Sequence, residues 1–244
     1  MRGGARVVKN SAGFDLPKLM VGSLGSLGAL VEMTLKVFPR PVATASFQVP
    51  FPSVTEGLAA LIRLTQAPLD LLALDLTPQS SGAQLFIRIG GLPASLSARL
   101  SRLRELSGGG VALEGEAEDA IWRSAREFHW LPAQTSLVKI PLTPKRLLQL
   151  DEFLAVHGIE RRYLAGANLA WIAWPGELDV LDRYLQEMQL SGLVVLGAPD
   201  RVRLGVDSSG TFAQRVKQAL DPLGRWVDVF RLSDDGPHAK VAPR

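Results

Sequence analysis

The chain has 244 residues, a net charge of +3 and 47% hydrophobic residues. That composition can bury a core and excludes a disordered or collagen-like chain. The absence of cysteine excludes disulfides, a cysteine nucleophile, thiolate zinc sites and cysteine-ligated iron–sulfur clusters within it. The basic residues are dispersed among acidic ones, and no apolar run reaches the roughly 18–20 residues of a membrane helix. The expectation is therefore no nucleic-acid partner and no transmembrane segment. With no apolar signal region near the start, the expected location is the cytoplasm, with peripheral attachment to the inner membrane at most.

Residues 6–10 read as a short strand, followed by a turn at 11–15 in which Gly13 is free to take positive φ. Asp15 is placed to cap a helix opening at Leu16 and Pro17 and stopping at Gly22. The run GSLGSLG at 22–28 then spaces Gly22, Gly25 and Gly28 three residues apart. Glycines there let backbone N–H groups approach a bulky, phosphate-bearing ligand, and Ser23 and Ser26 add hydroxyls. The spacing is neither a dinucleotide fingerprint nor a P-loop, since no Lys follows the last Gly. A tight turn between helix and strand is the competing reading. Residues 29–38 alternate and read as a strand, ended by Pro39 and Pro41, where a domain boundary falls.

An internal repeat follows. SFQVPFP at 46–52 resembles SLVKIPL at 136–142, AQLFIRIG at 83–90 resembles ANLAWIAW at 167–174, and GVALEG at 110–115 resembles GLVVLG at 192–197. Helices are expected over 54–65 and 93–106 in the first copy, and over 145–157 and 176–190 in the second. Middle strands are expected at 71–76 and 84–89, then at 161–164 and 169–174. Each half therefore reads β-α-β-β-α-β, a split βαβ, ferredoxin-like unit. Two in tandem give either one continuous antiparallel platform or two packed ones. A helix over 116–128 links them, a last helix over 211–220 precedes Asp221, and the tail from 233 reads as disordered.

Among single residues, Trp171 and Trp174 point to opposite faces of one strand, so one is core and the other is free to line a ligand or an interface. Arg99, Arg102 and Arg104 form a basic helix face, and Arg161 with Arg162 a basic strand start; solvated surface is the simpler reading, a patch for an acidic substrate or partner the sharper one. His129, His157 and His238 form no ligand-spaced cluster, so no metal site is expected. His157 suits a helix C-terminus. His129, in the run FHW at 128–130, could face a site. No catalytic residue is assigned.

The residues VVKN at 7–10, GFDL at 13–16, Lys18, Leu19, Gly22, Ser23, Gly25, Leu27, Gly28 and Leu35 resemble the FAD-binding domain of the vanillyl-alcohol-oxidase / p-cresol-methylhydroxylase flavoproteins. Within that family the resemblance is to glycolate-oxidase FAD-binding subunits. It implies an α+β fold: the C-terminal remnant of a PCMH-type FAD-binding domain, followed by a cap of two tandem ferredoxin-like βαββαβ units. The implied division is 1–41 for the flavin-domain part, 42–210 for the cap, 211–232 for a helix returning to the flavin domain, and 233–244 for the tail. The implied cofactor is FAD, bound through Lys9, Asn10, Gly13, Phe14, Asp15, Leu16, Gly22, Ser23, Gly25, Ser26 and Gly28.

The resemblance begins in mid-domain, without a glycine-rich pyrophosphate loop, so an N-terminally truncated flavin domain with weak or no FAD binding of its own is expected. The His-containing Gly-Asp-Gly-Asn motif of hydroxy-acid-oxidising members is also absent, which points to the subunit accompanying the catalytic one. The implied function is the partial FAD-binding subunit of a 2-hydroxy-acid oxidase or dehydrogenase. Its implied partners are a catalytic flavin subunit and an iron–sulfur subunit. The alternative is a non-catalytic module that binds partner oxidase subunits without flavin.

Overall fold

The structure, a computed structural model, describes residues 15–197, 201–207 and 210–227. It divides into two compact units. The larger comprises residues 40–199 with 204–206, and the smaller comprises 1–39, 200–203 and 207–244.

The larger unit is built on a nine-stranded sheet. Its first half runs β1 (Ala43–Phe51), α2 (Val54–Gln66), β2 (Leu71–Gln79), β3 (Gly82–Gly91), α3 (Pro93–Ser107) and β4 (Val111–Leu113). A connecting helix, α4 (Gly115–Arg126), leads to the second half. That half runs β5 (Thr135–Pro141), α5 (Pro144–Val156), β6 (Glu160–Leu164), β7 (Leu169–Pro175), α6 (Asp179–Glu187) and β8 (Ser191–Leu196), with β9 (Arg203–Gly205) at the edge. The strand order is β4-β1-β3-β2-β6-β7-β5-β8-β9, and the described ladders are antiparallel. In each half the third strand lies between the first two, the split βαβ order. The halves meet where β2 pairs with β6, Leu76 opposite Tyr163. One continuous platform results, rather than two packed sheets.

Local chemistry explains the elements. Ser53 caps α2, accepting from the Glu56 N–H at 3.2 Å while its hydroxyl donates to the Glu56 carboxylate at 3.3 Å. Pro93 and Pro144 open α3 and α5, where a missing N–H costs nothing. At the β2–β3 hairpin Gly82 has φ +124°, and a Cβ there would lie 2.2 Å from the Phe51 carbonyl oxygen, so only glycine fits.

The core lies on one sheet face, beneath α2, α3, α5 and α6. Phe47, Leu76, Leu85, Ile87 and Tyr163 supply it from the strands, and Leu61, Leu103, Leu147, Leu150 and Leu181 from the helices, all essentially inaccessible. Trp174 belongs to this face and is buried, its indole N–H donating to the Glu177 carbonyl at 2.9 Å. Arg161 shares Tyr163's strand face and is no solvated surface residue. Both donate to Asp151, at 2.5 and 2.8 Å, because strand parity carries Arg161 under α5. Arg99 is likewise engaged, donating to the Gly90 and Asp70 carbonyls at 2.6 Å each.

In the smaller unit α1 (Leu16–Met20) is capped by Asp15, whose carboxylate accepts from the Lys18 N–H at 3.1 Å. The expected strand over residues 29–38 does not form. That backbone carries no strand pairing, and Leu30, Val31, Met33, Leu35, Val37 and Phe38 are all exposed. Alternation supplies side-chain order, but a strand also needs a neighbour to bond its backbone. β9 was not anticipated, being too short to show a period. The expected strand at 6–10, His238 and the tail from 233 lie outside the described residues. Helix α7 (Gly210–Leu220) closes the described part of the unit. No helix among the described residues is long and apolar enough to cross a membrane.

Candidate functional site

Strand parity that sends Leu74 and Leu76 into the core sends Asp75 and Thr77 to the opposite sheet face; the same rule turns out Phe86 on β3, Arg162 on β6 and Trp171 on β7. α4 and the segment after it lie over this face and form with it a half-open cavity of ≈ 330 Å³. Its walls are aromatic: Phe86 and Trp171 from the sheet, Trp122 from α4, and Phe128 and Trp130 from the following segment. Phe128 meets Trp171 edge to face at 5.0 Å. It has φ +55°, a left-handed conformation that costs a bulky residue about 1–2 kcal/mol. His129, between Phe128 and Trp130, instead faces solvent beside Glu127, at 3.2 Å.

Two charged groups line the cavity. The Arg162 guanidinium lies 5.0 Å from the Trp130 ring centre and makes no hydrogen bond or ion pair among the described residues. Burial lowers its pKa, against the opposing charges of Asp75 and Glu160. Among the described residues Asp75 accepts only the Ala165 N–H, at 3.3 Å. Burial raises its pKa to about 6, although that bond and the charge of Arg162 both work the other way. The cavity therefore places a guanidinium with no hydrogen-bond or ion-pair partner among the described residues alongside a carboxyl group whose pKa burial raises to about 6.

A polar anchor holds α4 in place. Glu118 is 1% exposed and accepts from the hydroxyls of Thr44 (3.1 Å) and Ser46 (3.0 Å) and from Arg88 Nη2 (3.1 Å). Arg88 Nε stands 2.7 Å from the other carboxylate oxygen, and the Trp122 indole N–H donates to Ser46 Oγ at 2.7 Å. These bonds fix α4 against β1 and β3.

In the smaller unit Gly22, Gly25 and Gly28 have φ +80°, +80° and +150°, and a Cβ at any of them would meet no atom within 4 Å. The loop's glycine backbone is thus open to close approach, and its residues fit contact with a phosphate-bearing cofactor. Ser23 and Ser26 are buried, and the Ser26 hydroxyl donates to the Ser23 carbonyl at 2.6 Å. That hydroxyl is already committed to the loop itself. The loop rests on Lys217, whose ammonium donates to Ser26 O (2.7 Å), Asp221 Oδ2 (2.6 Å) and Trp226 O (2.9 Å). The Lys217 bond, with the N–H groups of Trp226 and Arg225, outweighs desolvation and lowers the Asp221 pKa to about 2. Asp15 caps α1 and Leu16 is its first residue, whereas Lys9, Asn10, Gly13 and Phe14 lie outside the described residues. No cluster of metal-ligating side chains occurs among the described residues.

The cavity was not visible as a unit in the sequence, because its members come from five separated stretches. The only signals were the outward parity of Trp171, the position of the 128–130 run, and the double arginine at 161–162.

Fold and cavity together define an α+β protein with one sheet face covered by helices and the other carrying an aromatic pocket, in which Arg162 has no hydrogen-bond or ion-pair partner among the described residues. The chain is similar in sequence to FAD-linked oxidases and dehydrogenases. It is 30% identical over 237 residues to glycolate oxidase subunit GlcE of Escherichia coli (strain K12), covering 92% of this chain and 59% of that one. It is 41% identical over 58 residues to a D-lactate dehydrogenase of Anaerostipes hadrus, covering 24% of this chain and 12% of that one. Among solved structures, an alkyldihydroxyacetonephosphate synthase superposes with a TM-score of 0.54 at 14% identity, covering 89% of this chain and 50% of that one; at that identity the likeness concerns the fold. No family model matches the chain. The chain spans 59% of the length of the glycolate oxidase subunit and less of the lactate dehydrogenase.

Proposed function

We propose that the chain is part of the FAD-binding subunit of a 2-hydroxy-acid oxidase or dehydrogenase. In this reading the larger unit serves as its cap and the open glycine loop as a backbone contact for FAD. The observation that carries it is the pairing of Arg162 and Asp75 in one cavity. Oxidation of a 2-hydroxy acid to the 2-oxo acid removes a hydride equivalent from the carbon and a proton from the hydroxyl. Arg162 would hold the substrate carboxylate, as a free guanidinium does best with two parallel hydrogen bonds. Asp75, with its pKa near 6, would take the hydroxyl proton. FAD supplies the two-electron acceptor when bound. The similarity to a glycolate oxidase subunit along 92% of the chain supports the substrate class. With no cysteine in this chain, onward electron transfer falls to partners, for which we propose a catalytic flavin subunit and an iron–sulfur subunit in the cytoplasm.

The test is to titrate the purified chain with FAD and then add glycolate or D-lactate without oxygen. Weak or no flavin perturbation by the chain alone, and a saturable change in the flavin absorbance followed by bleaching once partner subunits are added, is the expected result. A chain that perturbs no flavin and supports no bleaching, alone or with partner subunits, refutes the reading. A second reading, a flavin-free module that binds oxidase subunits, is favoured by the exposed apolar side chains of Leu30, Val31, Met33, Leu35 and Val37. Capture of a partner subunit by flavin-free protein supports it.

A further inference from the structure

We propose that the cavity selects a monocarboxylic 2-hydroxy acid with an aryl side chain; this rests on the hydroxy-acid reading above and narrows its substrate class.

Size is the first argument. A cavity of about 150 Å³ accommodates benzene, and this one measures ≈ 330 Å³. It has room for a six-membered ring together with a three-carbon acid. Glycolate or lactate would leave most of it unfilled, and unfilled apolar walls forfeit their contacts.

The walls are the second argument. Aromatic residues make up 7% of the chain, yet five of them line this one space, including three of the five tryptophans. Phe128 and Trp171 already meet edge to face at 5.0 Å, so an inserted ring would extend a cluster of that geometry. The left-handed backbone of Phe128 is a local cost borne where its ring borders the cavity, and such strain concentrates at functional sites.

Charge is the third argument. Arg162 has guanidinium donors without hydrogen-bond partners among the described residues, half-buried above Trp130, and a carboxylate is the anion whose geometry they match. Asp75 is ionised above pH 6 and repels a second carboxylate, which selects monocarboxylic acids.

The test is calorimetric titration of the full chain at pH 7 with 3-phenyllactate, lactate, 2-hydroxyhexanoate and lumiflavin. 3-Phenyllactate is expected to bind about tenfold or more tightly than lactate, from the apolar area its ring buries, and more tightly than the alkyl acid. Arg162→Gln is expected to weaken 3-phenyllactate by about tenfold or more, through loss of charge-assisted bonds. Trp171→Leu is expected to weaken 3-phenyllactate by more than it weakens lactate, narrowing the gap between the two. Phe86→Leu serves the same purpose if the tryptophan variant fails to fold.

Equal binding of 3-phenyllactate and lactate overturns the proposal. So does binding of 2-hydroxyhexanoate as tight as that of 3-phenyllactate, or displacement of 3-phenyllactate by lumiflavin. Failure of the oxidase reading looks different: 3-phenyllactate binds through Arg162, but no hydroxy acid bleaches flavin, which upholds the aryl-carboxylate site alone. Lactate oxidation with no preference for aryl acids does the reverse.

Discussion

Under the proposed role of Asp75 as proton acceptor, function and stability pull against each other at this residue. Its carboxyl is held up at about 6, chiefly by burial, so the folded state favours the protonated form. For a carboxylate with a raised pKa the sign runs against stability at neutrality: the contribution of Asp75 is most favourable below about pH 4 and is lost as pH rises to 6. Each pKa unit corresponds to about 1.4 kcal/mol, which partial exposure reduces to a total of about 1–2 kcal/mol. Asp75→Asn should therefore be about 1–2 kcal/mol more stable than the parent at pH 7.5 and no more stable at pH 4, as urea melts at the two pH values will show. Asp221 has the opposite sign. Its pKa is lowered to about 2, so its contribution is present above about pH 4 and is lost as pH falls to 2. Hydrogen exchange at Arg225 and Trp226 should be protected at pH 5 and lose that protection towards pH 2. In Lys217→Met it should be unprotected at both. The split between Trp171 and Trp174 was legible in the sequence, because parity is a local property. The fates of Arg161 and Arg162 were not, because an arginine pair reads alike whether it meets water, Asp151 or a cavity.

At the scale of elements, α4 owes its position to the bonds of Glu118 rather than to an apolar stripe. Glu118→Ala would leave Arg88 without its buried partner and should destabilise the larger unit by about 2–4 kcal/mol, measured by urea unfolding. Glu118→Gln, which keeps the shape and part of the bonding, should cost less. Most helices and strands of the larger unit could be read from caps, prolines and alternation, since those signals act within a few residues. The segment at 29–38 carries the same alternation as β7 yet forms no strand, because pairing depends on what lies beside it. α4 itself was legible as a helix, but its anchor was not: Thr44 and Ser46 lie more than seventy residues before it.

At the scale of the molecule, the repeat written into the sequence becomes a single sheet, and the smaller unit presents a row of bare apolar side chains. Val31 is 97% exposed and Val37 80%, in a stretch that offers unpaired backbone as well. Such a surface invites association. The chain should self-associate at micromolar concentration, and the triple change Val31→Lys, Leu35→Lys, Val37→Lys should raise the monomeric fraction in light scattering coupled to gel filtration.

The junction of β2 with β6 has a further consequence. Asp75 belongs to the first copy of the duplicated unit and Arg162 to the second, so a molecule gripping both is a cross-link between the copies. Occupancy then acts on the folding cooperativity of the sheet, adding binding free energy to the boundary where the two repeats join and coupling their unfolding into a single event.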